Sequence, residues 1–314
     1  MNLAYDSNGS GAGIHDIIMG TVDFAGTDGP LNKTQMLDFS THRNCEVVHF
    51  PTAIGADVPI YNLPGNLPGI AGSLRFTPQA LAGIFLGTIT KWNDPAINKP
   101  NLTFTLPDRQ IMVVHRQDGS GTTYVWTDYL SKVSSDWRER VGTGISVAWP
   151  VGIAEEGNEG VVGAVGDTPY SIGYSELTYA VRNQLFYGGV ANRNGRFIKA
   201  DLASVTAAAS SVADKMPDDF RVSITDPPGE DAYPISSFTW LLVPSVISDR
   251  AKGEALIGFL RWGLTRGQDY LEALSYARLP NELVVREQKA IASNKSHRYG
   301  STVGKELVIA DDCA

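Results

Sequence analysis

Short apolar runs alternate along this chain with stretches in which apolar residues recur at helical spacing, and that alternation predicts an α/β fold. Residues 2–5 predict the end of a strand. A glycine-rich turn follows, Asn8-Gly9-Ser10-Gly11-Ala12-Gly13, leading into a short helix with Ile14, Ile17 and Ile18 on its apolar side. Residues 22–26 and 46–50 predict the next strands. Thr77-Pro78 opens a helix: Thr can cap it, Pro suits the first helical position, Leu81, Ile84 and Phe85 form one face, and Gly87 ends it. Residues 111–114 predict a buried strand that runs into Arg116-Gln117-Asp118-Gly119-Ser120-Gly121-Thr122, and a helix with Val125, Tyr129, Leu130 and Val133 along one side follows. Residues 203–216 predict an Ala-rich helix, 238–243 a strand, and 252–263 an amphipathic helix carrying Ala255, Leu256, Phe259, Leu260 and Trp262. The pattern is lost from about Asn294, so 296–314 reads as a tail.

With 314 residues, 43% of them hydrophobic, the chain is long enough for two lobes, each with its own core. No apolar run approaches the roughly 18 residues of a membrane span. The net charge of -8 argues against a nucleic-acid partner, whose phosphates recruit basic surfaces. It does not argue against a small anion, because converging N–H groups and one Arg act locally while distant charges are screened. The two cysteines, Cys45 and Cys313, form no C-x-x-C pair, and both a disulfide and two free thiols remain open. Met1 is followed at once by Asn2-Leu3-Ala4-Tyr5, with no signal peptide, a start that by itself reads as cytoplasmic.

Two segments share the order strand, glycine and serine turn, helix. A helix start exposes unpaired N–H groups with partial positive charge, glycine lets the backbone close on an anion, and Ser or Thr adds a hydroxyl donor. One such turn reads equally as a tight turn with a serine cap. Two in one chain, one with Arg116 four residues before Ser120, favour an anion site. Other chemistries lack their residues. Ser10 and Ser120 follow Asn8-Gly9 and Asp118-Gly119, so no G-x-S-x-G elbow is present. Gly300–Lys305 is one residue short of a phosphate-binding P-loop, with Glu306 where Ser or Thr should bind magnesium. The glycines at 9, 11 and 13 have the wrong spacing for a dinucleotide fingerprint. His15, His42, His49, His115 and His297 show no metal-ligand spacing, and no cofactor or metal is expected.

Several longer blocks are more specific. They are Gly9–Ile14, Val22–Leu31, Gly83–Gly87 with Lys91–Ile97, Val114–Thr122, Gly157–Gly160, Ile172–Tyr174 and Gly229–Ile235, in this order. Together, from residue 2 to about 290, they resemble the phosphate-binding protein of the bacterial phosphate ABC transporter. The resemblance implies a type II periplasmic binding protein fold with two α/β lobes, a hinge and an interlobe cleft. Lobe one would be 1–58 plus 233–295, lobe two 59–232, with 296–314 a tail. It implies phosphate binding by Ser10, Asp28, Arg116, Ser120, Gly121 and Thr122, with Asp118 bracing the arginine or capping the helix, or both. Family members carry about one more strand and helix before the equivalent of Asn2, so the chain is expected to be truncated at its N-terminus.

The resemblance implies capture rather than chemistry. Phosphate sits between the lobes of a periplasmic or extracytoplasmic monomer that hands it to the membrane permease. The rivals are a phosphate-ester hydrolase, which needs a nucleophile with a base or a metal cage, and a phosphate-sensing or adhesion module.

Overall fold

The computed structural model describes residues 3–64, 74–292 and 308–309. One long strand organises it. The strands are β1 (Ala25–Thr27), β2 (Val47–Tyr61), β3 (Arg75–Phe76), β4 (Met112–Arg116), β5 (Ile153–Glu155), β6 (Ser171–Glu176), β7 (Phe186–Tyr187), β8 (Gly189–Ala191), β9 (Phe197–Ile198), β10 (Ser236–Pro244), β11 (Val246–Ile247) and β12 (Val308–Ile309). The main sheet has the order β1-β10-β2-β6-β4-β5, with β7 also on β2, and β3-β8-β9 form a small sheet. Most of β2 is buried, as its run of Val, Ile, Ala and Phe requires. It pairs with two different neighbours. Residues 47–56 run antiparallel to β10, ending at Ala56↔Ser236, and residues 57–61 run antiparallel to β6, beginning at Asp57↔Glu176. Ala56/Asp57 is therefore a seam between two half-sheets.

The helices are α1 (Gly9–Met19), α2 (Lys33–Arg43), α3 (Pro78–Phe85), α4 (Pro95–Asn98), α5 (Gly121–Val133), α6 (Ser135–Arg140), α7 (Gly157–Asp167), α8 (Leu177–Arg182), α9 (Leu202–Ser210), α10 (Arg250–Gly263) and α11 (Asn281–Ala292). α3 starts as expected: the Thr77 side chain accepts from the Ala80 N–H at 3.1 Å and Pro78 is its first residue. α5 lays Val125, Trp126, Tyr129 and Leu130 into the large core, which also takes Phe50, Ile54, Phe85, Trp137 and Tyr174. A smaller core of Ile14, Ile17, Ala25, Leu31, Phe39, Val47 and Leu242 lies under α1 and α2. No described helix is long and apolar enough to cross a membrane.

Five expectations change. Residues 3–5 form no strand, and Leu3 and Tyr5 are exposed; the Tyr5 ring lies over Gly26 instead of pairing with the backbone of β1. β1 is shorter than 22–26 suggested and begins at Ala25, because residues 21–23 bend and Asp23 turns out to meet Lys252 at 2.9 Å. Met112 and Trp262 are exposed, although the strand and helix that carry them are present. α9 stops at Ser210. The Ser211 hydroxyl donates to the Ala208 carbonyl at 2.8 Å and the Val212 N–H bonds Ala209 O, tightening the chain into a 3₁₀ turn that Ala propensity alone does not foresee. Within the expected tail, Val308–Ile309 pair in parallel with Val246–Ile247; the rest, with Cys313 and Gly300–Glu306, lies outside the described residues. Among the described residues Cys45 is a free thiol.

Candidate functional site

The glycine run at 9–13 was expected to precede its helix. It is instead the first turn of α1, which starts at Gly9 with φ +82°, a left-handed value that glycine adopts at no cost. The turn meets its counterpart directly. The Gly11 N–H donates to the Gly119 carbonyl at 2.8 Å, and a Cβ on Gly11 would lie 2.8 Å from the Gly119 backbone, so this approach needs glycine.

Arg116 ends β4 and is buried. Asp118 takes its Nε at 2.7 Å and its Nη2 at 2.5 Å, a charged fork-to-carboxylate pair. Nη1 donates to Asn158 Oδ1 at 3.1 Å and, at a longer 3.5 Å, to Thr122 Oγ1. Nη2 keeps one further N–H, and the second N–H of Nη1 meets Thr122 Oγ1 only at the long 3.5 Å, so an anion can draw one N–H from each nitrogen. Burial works against the charge on Arg116, but Asp118 outweighs it and raises its pKa. Burial also works against Asp118, but Arg116 and the Gly157 N–H outweigh it and hold that carboxyl below the usual carboxylate range. Asp118 does not cap α5. The Ser120 side chain does, accepting from the Thr123 N–H at 3.1 Å, while Asp118 Oδ1 accepts from the N–H of Gly157 at 3.1 Å, one of the orphan donors at the start of α7. The Ser120 N–H is spent on the Ile145 carbonyl at 2.8 Å, so this residue keeps only its hydroxyl proton to give.

Asp28, just after β1, faces this helix start. Thr239 of β10 donates to its Oδ1 at 2.6 Å. Its other oxygen lies over Gly121, where a Cβ would meet Oδ2 at 2.5 Å and the Ser10 hydroxyl oxygen closer still. The Asp28 N–H approaches Ser10 Oγ at 3.4 Å. Asp28 keeps partial solvent contact, yet protein atoms surround it closely enough that burial raises its pKa, with Thr239 and Arg116 pulling the other way. Ser10, Asp28, Arg116, Ser120, Gly121 and Thr122 thus come from α1, β1, β4 and α5 to one place. They combine N–H and O–H donors, one guanidinium and one carboxylate. Among the described residues neither serine hydroxyl is bonded to a histidine, and no group of three or more His, Cys, Asp or Glu could hold a metal ion.

Four supporting residues escaped the sequence reading: Asn158, which holds Arg116 and Thr122; Tyr174, whose hydroxyl accepts the Arg116 N–H at 3.2 Å; Thr239, which orients Asp28; and Glu176, which accepts from Asn158 Nδ2 at 2.9 Å. Asn158 and Tyr174 lay in blocks that stood out in the sequence, but nothing local links them to Arg116.

Comparison with known proteins gives the family of the chain. A family model described as a PBP superfamily domain matches residues 1–266. The phosphate-binding protein PstS of Xylella fastidiosa (strain Temecula1) is 42% identical over 282 residues, covering 90% of this chain and 75% of that protein. PstS of Pasteurella multocida is 40% identical over 299 residues, covering 95% and 84%. A phosphate-binding protein of Stenotrophomonas maltophilia has the same fold, with TM-score 0.72 at 19% identity over 93% of this chain and 87% of that one. The chain belongs to the PBP superfamily, within the family of the PstS phosphate-binding proteins.

Proposed function

We propose that this chain captures inorganic phosphate without transforming it, outside the cytoplasm, and delivers it as a monomer to the permease of an ABC importer. One observation carries the reading: two glycine-rich helix starts touch, and they gather a buried arginine with an uncommitted Nη2 N–H and the Asp28 carboxylate that lies over Gly121. Arg116 supplies the charged bidentate contact. Ser10, the Ser120 hydroxyl, Gly121 and Thr122 supply neutral donors, and Asp118 braces the guanidinium. Asp28 accepts a hydrogen bond from a protonated oxygen of the ligand. Among the described residues the site has no serine–histidine pair, which favours capture over ester hydrolysis. Its residues divide between the two half-sheets. Residues 1–58 and 233–295 would form one lobe and 59–232 the other, hinged at the Ala56/Asp57 seam and at the return near residues 231–235, where the Tyr233 hydroxyl donates to Asp57 O at 2.9 Å. A ligand that touches both lobes is one that favours closure.

Asp28 makes the reading testable. A protonated phosphate oxygen satisfies its carboxylate, whereas sulfate near neutral pH brings a second unprotonated oxygen against it. By calorimetry at pH 7 the chain should bind phosphate and reject sulfate, and Asp28→Asn should bind sulfate with much of that discrimination gone. Sulfate competing well against phosphate in the unaltered chain would refute the reading, as would turnover of a generic phosphate ester.

A further inference from the structure

Behind Arg116 a chain of polar contacts leaves the anion site and crosses the seam. Arg116 Nη1 donates to Asn158 Oδ1, Asn158 Nδ2 donates to Glu176 Oε1 at 2.9 Å, and the Tyr276 hydroxyl donates to Glu176 Oε2. Glu176 is the last residue of β6 and pairs across the ladder with Asp57, the first β2 residue beyond the seam. Tyr276 belongs to the other half-sheet. Its neighbour Ala277 bridges Ile54 in both directions, at 2.8 and 3.1 Å, and its ring covers Gly55, where a Cβ would come within 3.1 Å of it. One carboxylate therefore touches the support of the arginine on one side of the seam and a hydroxyl anchored on the other.

We propose that Glu176 is a positioning residue for anion capture: through Asn158 it sets the Arg116 guanidinium, and through Tyr276 it latches the two half-sheets together when they are closed. This rests on the phosphate-capture reading. The latch makes the grip of Arg116 depend on closure. If the halves part, Tyr276 leaves, and Glu176, held on one oxygen fewer, fixes less firmly the Asn158 amide whose oxygen meets Arg116.

The acids around the latch add a pH signature. Glu176 faces Asp57 from β2, Asp28 from the turn after β1, Arg116 from β4, Asn158 from α7, Tyr179 from α8, Tyr5 ahead of α1, and Tyr276. Asp57 is buried, and its Oδ2 has no hydrogen-bond partner. Burial, then the Asp28 charge, pushes Glu176 up to about 7, with Tyr276, Arg116 and Asn158 opposing. Burial, then Glu176, holds Asp57 well above the usual range. A bound anion adds negative charge beside this cluster and so favours a proton on Glu176. A group with a raised pKa keeps its proton below that pKa and loses it above. Affinity should therefore fall, relative to a protein with no titrating group at this position, as pH rises through about 7.

The test uses phosphate with the full chain, Tyr276→Phe and Glu176→Gln, measuring Kd and dissociation rate from pH 6 to 8 and melting without phosphate. Tyr276→Phe should raise Kd about tenfold, mainly by faster release, the loss of one buried hydrogen bond. It should melt close to the unaltered chain. Glu176→Gln can still accept from Asn158 and offer its amide to Tyr276, so it should bind nearly as well at pH 6. Its advantage over the unaltered chain should then grow toward pH 8, a comparison in which the titration of phosphate itself cancels. Binding by the unaltered chain with a Tyr276→Phe Kd within twofold of it, or with a pH-independent Glu176→Gln ratio, would overturn the latch and leave phosphate capture standing. No phosphate binding by the unaltered chain would overturn both.

Discussion

The two glycine turns look alike in sequence and are supported differently. The second, at 118–122, is built in. Ser120 caps α5, Ile145 takes the Ser120 N–H, Asp118 locks Arg116 and reaches the start of α7, and the helix behind is set in the large core. The first, at 9–13, has no such frame. Asn8 precedes α1 without a side-chain cap bond, residues 3–8 are exposed, and α1 rests on the smaller core. Its firm polar attachment to the second turn is the Gly11 N–H on Gly119. The acceptor side is held from elsewhere. Thr239 bonds Asp28, and the following turn is pinned at Leu31, whose N–H donates to His49 Nε2 at 3.2 Å and whose carbonyl accepts from Arg221 at 3.1 Å. The pre-formed turn thus carries the positive charge, and the lightly held one completes the site when the two come together.

Four tests would break or sharpen this contrast. Arg116→Ala should have the largest effect. It removes the buried charge and takes from Asp118 its charged partner, so phosphate binding should weaken by about 3 kcal/mol or more by calorimetry. Unchanged affinity would take Arg116 out of the site.

Acid should loosen the Asp28 side. Burial, then the Arg221 charge, lowers the pKa of His49 to about 3, partly offset by Asp219. Above about pH 6.5 His49 is neutral both folded and unfolded, so it contributes nothing to the pH dependence. Between about 6.5 and 3 the unfolded chain takes up a proton that the folded chain refuses. Stability should then fall by up to about 1.4 kcal/mol per pH unit from this one group. Denaturant melts at pH 7 and 5 should show a decline that His49→Gln reduces.

Gly121→Ala drives a methyl into Asp28 and Ser10 where the two sides meet, so it should cost about 1–3 kcal/mol of phosphate affinity. Gly163→Ala, in α7 with open space at its Cβ, should instead gain roughly 0.5–1 kcal/mol of stability and leave binding alone. Equal effects at the two glycines would mean that the close approach does not matter. The smallest effect separates the helix starts. Ser120→Ala should cost about 1 kcal/mol of stability, whereas Asn8→Ala, which removes no cap bond, should change the melting midpoint little.

The residues themselves determined what short-range physics controls. Alternating apolar runs gave the α/β class, Thr77-Pro78 marked the start of α3, and Arg116–Thr122 announced a strand end, a tight turn and a helix start in seven consecutive positions. Caps and turns depend on neighbours within about one helical turn, so they can be read from sequence. Glycine at 9–13 signalled a turn and hid the fact that α1 had already begun, because helix starts and turns share the same residues. Only the tertiary structure decided that Gly11 meets Gly119, that Asp28 lies over Gly121, and that Asn158, Glu176 and Tyr276 form a line behind Arg116. Those meetings follow from the register of β2 against β10 on one side of the seam and β6 on the other. Register is set by how whole faces of the sheet pack, and a shift of one residue would turn every side chain to the opposite face. No stretch of a few residues encodes that sum.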